Sequence, residues 1–118
     1  MKAKYTGRHG EEIAVKYLEL NGYSVLSRNK RVGARELDIV CKEGTTLVVL
    51  EVKTTTTHYG LEQHRRLSAV QRTHLIRAAR KCLREFLWAK EVRMDVIWIQ
   101  LMEEGLALEH QKDAFYIF

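Results

Sequence analysis

The chain has 118 residues, long enough to bury one sizeable core and too short for two, so a single domain spanning 1–118 is expected. Hydrophobic residues at 46% and charged residues at 30% are the proportions of a soluble globular protein, and they exclude an extended disordered chain and a membrane-embedded one. A net charge of +5 permits attraction to a polyanion without requiring it.

The N-terminal stretch "MKAKYTGRHGEEIAVKYL" carries charges but no apolar core of a signal peptide, which places the protein in the cytoplasm by expectation. Thr6 is positioned to cap a first helix in which Ile13, Ala14, Tyr17 and Leu18 recur at helical spacing. Asn21 and Gly22 suit its C-terminal end, where a left-handed residue is natural. Tyr23 to Asn29, Leu37 to Cys41 and Thr46 to Lys53 read as three strands, with "RVGAR" and "KEGT" as turns short enough to demand an antiparallel meander. After a polar loop, Leu67, Val70, Leu75, Ala78, Ala79, Cys82, Leu83 and Phe86 trace the apolar stripe of a second helix, with Arg77, Arg80, Lys81 and Arg84 on its other side. Met94 to Leu101 is a strongly apolar fourth strand, and Leu106 to Glu109 suggests a fifth. The order is helix, three strands, helix, two strands. Cys41 and Cys82 fall inside apolar patterns without metal-binding spacing, and are expected as buried free thiols.

The stretch "LVVLEVK" carries the chemical interest. Leu47 to Leu50 is a continuous apolar run suited to a central strand covered on both faces, yet Glu51 and Lys53 follow at once. Side chains alternate along a strand, so these two charges share one side of the sheet and Val52 takes the other. Asp38 lies among Leu37, Ile39, Val40 and Cys41 in the neighbouring strand, where a carboxylate is costly to desolvate unless something pairs with it. Two carboxylates at one end of a sheet, with an ammonium beside them, are the donor set of a magnesium site for phosphodiester hydrolysis. Lys53 would then orient water or stabilise the charge that develops in the transition state.

At this point "GEEIAVKYL", "GYSVLSRNKR", "ELDIV", "LVVLEVK" and "RMDVIWI", in that order over nearly the whole chain, resemble the small YraN-type endonucleases of the PD-(D/E)XK restriction-endonuclease-like superfamily. The resemblance rests most on Gly10-Glu11, Arg28-Asn29, Glu36-Leu37-Asp38 and Glu51-Val52-Lys53. It implies an α+β fold with an α-β-β-β-α-β core and a mixed central sheet flanked by helices. It also implies Asp38, Glu51 and the Val52 carbonyl as ligands of Mg2+, with Mn2+ as a substitute, Lys53 as the catalytic lysine and Glu11 as an auxiliary acid. A polar residue near the start of the second helix supports such sites, and Gln71 occupies that place. Glu11 fits on its own terms, because it tops the Ala14–Leu18 stripe and faces the sheet. The chain departs from the family pattern at Arg35, where a glycine is usual, at Gln71, where a lysine is common, and at Thr55, which replaces a basic residue.

The expected function is therefore metal-dependent hydrolysis of DNA phosphodiester bonds, in repair, recombination or processing. The alternative is a noncatalytic nucleic-acid-binding module that keeps the nuclease fold. Arg35, Arg65, Arg66 and Arg72 are the basic residues expected to meet the nucleic acid, although a basic helix face is as often simply solvated. Glu36 shares a face with Asp38 as a supporting acid or an exposed strand end. His74 reads as a hydrogen-bonded interior residue, and Asp95 as the same-face partner of Arg93. A second copy would help to cut both strands of a duplex, but no residue marks such an interface.

Overall fold

The computed structural model describes residues 3–56 and 67–114. Its elements are α1 (Ala3–Leu20), β1 (Ser24–Val32), β2 (Arg35–Glu43), β3 (Thr46–Thr55), α2 (Ala69–Leu83), β4 (Glu91–Met102) and β5 (Gly105–Gln111). The five strands form one mixed sheet in the order β1-β2-β3-β4-β5. β1, β2 and β3 pair as an antiparallel meander, β3 and β4 run parallel across the α2 crossover, and β5 returns antiparallel to β4. This is the expected order and the expected mixed α+β sheet. No helix among the described residues is long and apolar enough to cross a membrane.

Alternation along the strands divides the core into two layers. Leu47 and Val49 of β3, with Met94, Val96 and Trp98 of β4, pack beneath Ala78, Ala79 and Cys82 of α2. Val48 and Leu50, with Ile97 and Ile99, pack beneath Ala14 and Leu18 of α1. β3 is therefore covered on both faces, as its continuous apolar run requires. Cys41 and Cys82 are buried free thiols, and burial pushes the Cys41 thiol up to about 12. No role as a nucleophile follows from such a thiol.

α1 ends as its sequence suggests. Gly22 has φ +85°, its amide donates to the Glu19 carbonyl and the Tyr23 amide donates to the Leu18 carbonyl, which is the Schellman arrangement. Tyr23 thus closes the helix and packs against Leu18 in the same core cluster, so β1 starts one residue later than expected. The other end of α1 is corrected outright: Thr6 is not its cap, because the helix already runs from Ala3 and passes through Gly7 without a proline to stop it. Val70 is corrected too. It is 63% exposed, because the α2 stripe that reaches the sheet begins at Leu75 and Leu67 is buried ahead of the helix. Ser68, which the apolar pattern passes over, is the cap of α2. Its hydroxyl accepts from the Gln71 amide while the Gln71 side chain accepts from the Ser68 amide, a reciprocal capping box.

Candidate active site

The site forms where β2 and β3 part. Their ladder ends at the pair Ile39 and Leu50, so Asp38 and Glu51 are the next opposed residues. Instead of continuing the main-chain ladder, the Val52 amide donates to Asp38 Oδ2 at 2.8 Å. The β1–β2 ladder is interrupted at the same level, since Arg28 pairs with Ile39 and Lys30 with Leu37, but Asn29 and Asp38 form no pair. Asn29 has φ +51°, a left-handed conformation that asparagine tolerates better than most residues. Strict alternation in β2 breaks here as well: Ile39 and Cys41 lie in the α1 layer, while Leu37 joins Val40 in the α2 layer. Asp38 is thus freed from ladder geometry, and its carboxylate turns toward β3.

Burial, followed by the charge of Glu51, pushes the Asp38 carboxyl up to about 7, against the pull of the Val52 amide and of Lys53. Lys53 Nζ lies 3.4 Å from Glu51 Oε2, so both charges share the α2 side of β3. Glu11 reaches the same region from α1. Burial and then the charge of Asp38 raise its carboxyl above the ordinary carboxylate value, while a side-chain hydrogen bond from Asn29 and the charge of Arg28 work against that rise. Two carboxylates that repel each other in a partly dry place, with one ammonium beside them, have room for a further positive charge.

Glu11 arrives there because Gly10 precedes it. A Cβ at Gly10 would lie 1.9 Å from Thr54 Oγ1 and 3.0 Å from Thr54 Cβ, so only glycine lets α1 approach the end of β3 this closely. Thr54 Oγ1 is itself buried without a hydrogen-bond partner among the described residues. Gly10→Ala is expected to cost about 1–3 kcal/mol of stability, as overpacking does, and to push Glu11 away from Asp38. Thr54→Ala in the same chain is expected to restore part of that loss, which urea denaturation of the four variants of the cycle measures.

Glu51 also lines an open cleft of about 290 Å³, together with Arg31, Ala34, Arg35, Glu36, Gln71, His74 and Leu75. The structure therefore brings Asp38, Glu51, Lys53 and Glu11 together, and sets Gln71, Arg35 and Glu36 on the cleft beside Glu51. The Gln71 side-chain oxygen is occupied by the capping box, which leaves its amide hydrogens for other partners. Val52 pairs with Ile97 of β4, and its amide is committed to Asp38. Arg72 turns back to donate to the Leu67 carbonyl at 2.7 Å. Arg65 and Arg66 lie outside the described residues. Thr55 is buried at the end of β3, so the threonine run extends the strand at least that far.

Sequence reasoning missed two features. His74, read as an interior residue, lines the cleft and is hydrogen-bonded to Arg35. Asn29 was noticed for its resemblance alone, and its tolerance of left-handed backbone was the available signal.

The donor chemistry fits a small hard divalent cation. Among the described residues, no three His, Cys, Asp or Glu side chains converge as a chelating group, so Asp38 and Glu51 would need main-chain and water oxygens to complete the shell. Magnesium is commonly held in that way, by one or two carboxylates with several waters retained.

Comparison with known proteins gives the lineage. A "UPF0102 protein" from Nitratidesulfovibrio vulgaris (strain DP4) is 39% identical over 111 residues, covering 93% of this chain and 83% of its own. A "UPF0102 protein" from Christiangramia forsetii is 39% identical over 113 residues, covering 95% and 94%. Among solved structures, Pyrococcus furiosus SfsA in complex with Ca2+ is similar with a TM-score of 0.44 and 16% identity, over 98% of this chain and 66% of that one. The profile described as "Uncharacterised protein family UPF0102" matches residues 10–99, a span that holds Gly10, Glu11, Asp38, Glu51 and Lys53, and the chain belongs to that family.

Proposed function

We propose that the protein is a magnesium-dependent endonuclease that hydrolyses DNA phosphodiester bonds, with Asp38, Glu51 and the Val52 carbonyl as metal ligands. The observation that carries this reading is the opposition of Asp38 and Glu51 where the β2–β3 ladder ends, with Lys53 3.4 Å from Glu51. A metal held there supplies charge against a nonbridging phosphate oxygen and makes water a better nucleophile. Lys53 offers an ammonium to the same oxygens or to the attacking water, where charge grows in the transition state. Glu11, kept near Asp38 by Gly10 and Asn29, supports the ligand set as an auxiliary acid, and Gln71 lends its free amide hydrogens to the cleft.

The test is cleavage of labelled linear, single-stranded, flap and four-way-junction DNAs with Mg2+ or Mn2+, beside Asp38→Asn, Glu51→Gln and Lys53→Ala proteins purified identically. Metal-dependent cutting by the wild type and its loss in all three variants is the expected result. Cutting that survives Glu51→Gln and Lys53→Ala would remove these residues from the mechanism. A wild type that binds DNA but cuts none of the substrates would favour the noncatalytic module, for which the departures at Arg35, Thr55 and Gln71 already argue.

A further inference from the structure

Several basic side chains elsewhere in the fold meet acids. Lys30 pairs with Glu85 at 2.9 Å, Lys53 with Glu51, and Arg93 with Glu43 and Asp95. Arg35 differs. Its guanidinium is hydrogen-bonded to the His74 imidazole, 39 residues away on α2, and it has no acidic partner among the described residues although Glu36 and Glu51 line the same cleft. A guanidinium can only donate, so the ring nitrogen nearest it, Nδ1, suits the acceptor role, and in that tautomer Nε2, 3.4 Å from the same guanidinium nitrogen, carries the ring proton. In that arrangement the pair presents N–H donors to the cleft.

Such a corner calls for a ligand that only accepts. Arg31 lines the cleft beside it, and His74 sits in the second turn of α2, near the positive end of a helix whose first turn carries no acid. The same lining also carries two acids, Glu36, which pairs with Arg31 across the β1–β2 ladder, and Glu51. One cleft thus holds acidic groups that repel phosphate unless a cation covers them and basic groups that attract phosphate as they stand. A nucleic-acid strand carries phosphates in succession, so it can place one against each.

We propose that Arg35 and His74 form an anion subsite that holds the phosphate next to the one presented to Asp38 and Glu51. The planar guanidinium fork suits two phosphate oxygens at once, and His74 Nε2–H supplies a further donor. A contact of this kind fixes the position of the strand and reads no base. The inference rests on the nucleic-acid reading of the cleft, which the catalytic and noncatalytic versions share, and not on turnover.

Binding without metal separates the two questions. The probe is a fluorescein-labelled oligonucleotide, single-stranded and as a duplex, titrated in EDTA over a range of salt. Arg35→Ala is expected to weaken binding about tenfold and to lower the slope of log K against log salt by about one. His74→Ala should weaken it less, and combining the two should add little to Arg35→Ala, because both act on one phosphate. Arg84→Ala, which removes an exposed positive charge at the far end of α2, is the control and should change affinity less than about twofold. Circular dichroism establishes that each variant is folded. Equal losses in Arg35→Ala and Arg84→Ala would reduce the effect to net charge and overturn the subsite, as would unchanged affinity in folded Arg35→Ala and His74→Ala proteins, or a wild type that binds neither form of the probe. Loss in Arg35→Ala with no cleavage under any metal would leave the subsite standing and sink the nuclease. Normal cleavage with Arg35→Ala binding as wild type would do the reverse.

Discussion

Replacing Asp38 with Asn is expected to make the metal-free protein more stable at pH 8 while abolishing its response to divalent cations. The folded-state carboxyl is raised from the ordinary 3.8 to about 7, by burial first and Glu51 second. A carboxyl raised on folding contributes stability that is whole below its unfolded value and is lost as pH rises through its folded value. Above about pH 7 the wild type therefore holds a desolvated carboxylate beside the charge of Glu51, a penalty on the order of 4 kcal/mol for a shift of this size. Asparagine cannot ionise, and its carbonyl can still accept from the Val52 amide. Thermal denaturation in EDTA should show Asp38→Asn melting above wild type at pH 8, with the gap closing toward pH 4. Adding Mg2+ or Mn2+ should raise the wild type and leave the variant where it was. A gap of constant size across that pH range would mean that ionisation of Asp38 is not its cause.

Asp95→Ala is expected to act in the opposite direction. Asp95 is fully buried, and both carboxylate oxygens are satisfied: Oδ1 accepts from Arg93 Nε and the Asp113 amide at 2.9 Å, and Oδ2 from Arg93 Nη2 at 2.9 Å and His110 Nε2 at 2.7 Å. The network continues outward, as Tyr17 Oη meets His110 Nδ1 at 2.9 Å and Arg93 reaches Glu43 and the Tyr23 hydroxyl. Burial works to raise the Asp95 carboxyl, but the hydrogen bonds from His110, Arg93 and the Asp113 amide outweigh it and hold it below the ordinary carboxylate value. Removing the carboxylate leaves a part-buried guanidinium with Glu43 and Tyr23 as its remaining partners and takes the acceptor from the buried His110 imidazole, a loss of about 3–5 kcal/mol at neutral pH. The contribution of Asp95 is present above its unfolded value and disappears as pH falls through its lower folded value. The gap between wild type and variant should therefore shrink in acid. Urea denaturation at neutral and acid pH measures it, and a neutral-pH loss below about 1 kcal/mol would show that the network is replaceable.

Local signals were legible in the sequence, and distant partnerships were not. Every strand was visible because stretches of strand-forming residues are punctuated by turn residues, and Gly22 announced the end of α1. The Ser68-x-x-Gln71 box was present as a pattern, but Val70 drew the apolar stripe one turn too early. For the site, same-side placement of Glu51 and Lys53 follows from strand periodicity alone. The opposition of Asp38 and Glu51 needed a register, which the short "KEGT" turn nearly determines: Gly44, with φ +61°, makes a two-residue connection between Glu43 and Thr46. The break in alternation at Asp38 was illegible, because it depends on a left-handed residue in the neighbouring strand. Arg93 was matched correctly with Asp95 two residues on. Its bond to Glu43, 50 residues away, and the bond of Arg35 to His74 arise only once the sheet and α2 are assembled.

The seat of α1 has a bearing on how the chain acquires its site as it emerges from the ribosome. Glu11, Asp38, Glu51 and Lys53 are all made in the first half of synthesis, yet the layer beneath α1 needs Ile97 and Ile99, and Tyr17 waits for His110. Pairings this distant form late, because the intervening chain must first be closed. A nascent or truncated chain ending before β4 would hold the acids without the surface that clamps their helix down. Assembly of the acidic centre is thereby expected late, once β4 and β5 have been made, and an incomplete translation product is expected to lack the clamped α1 that brings Glu11 to it.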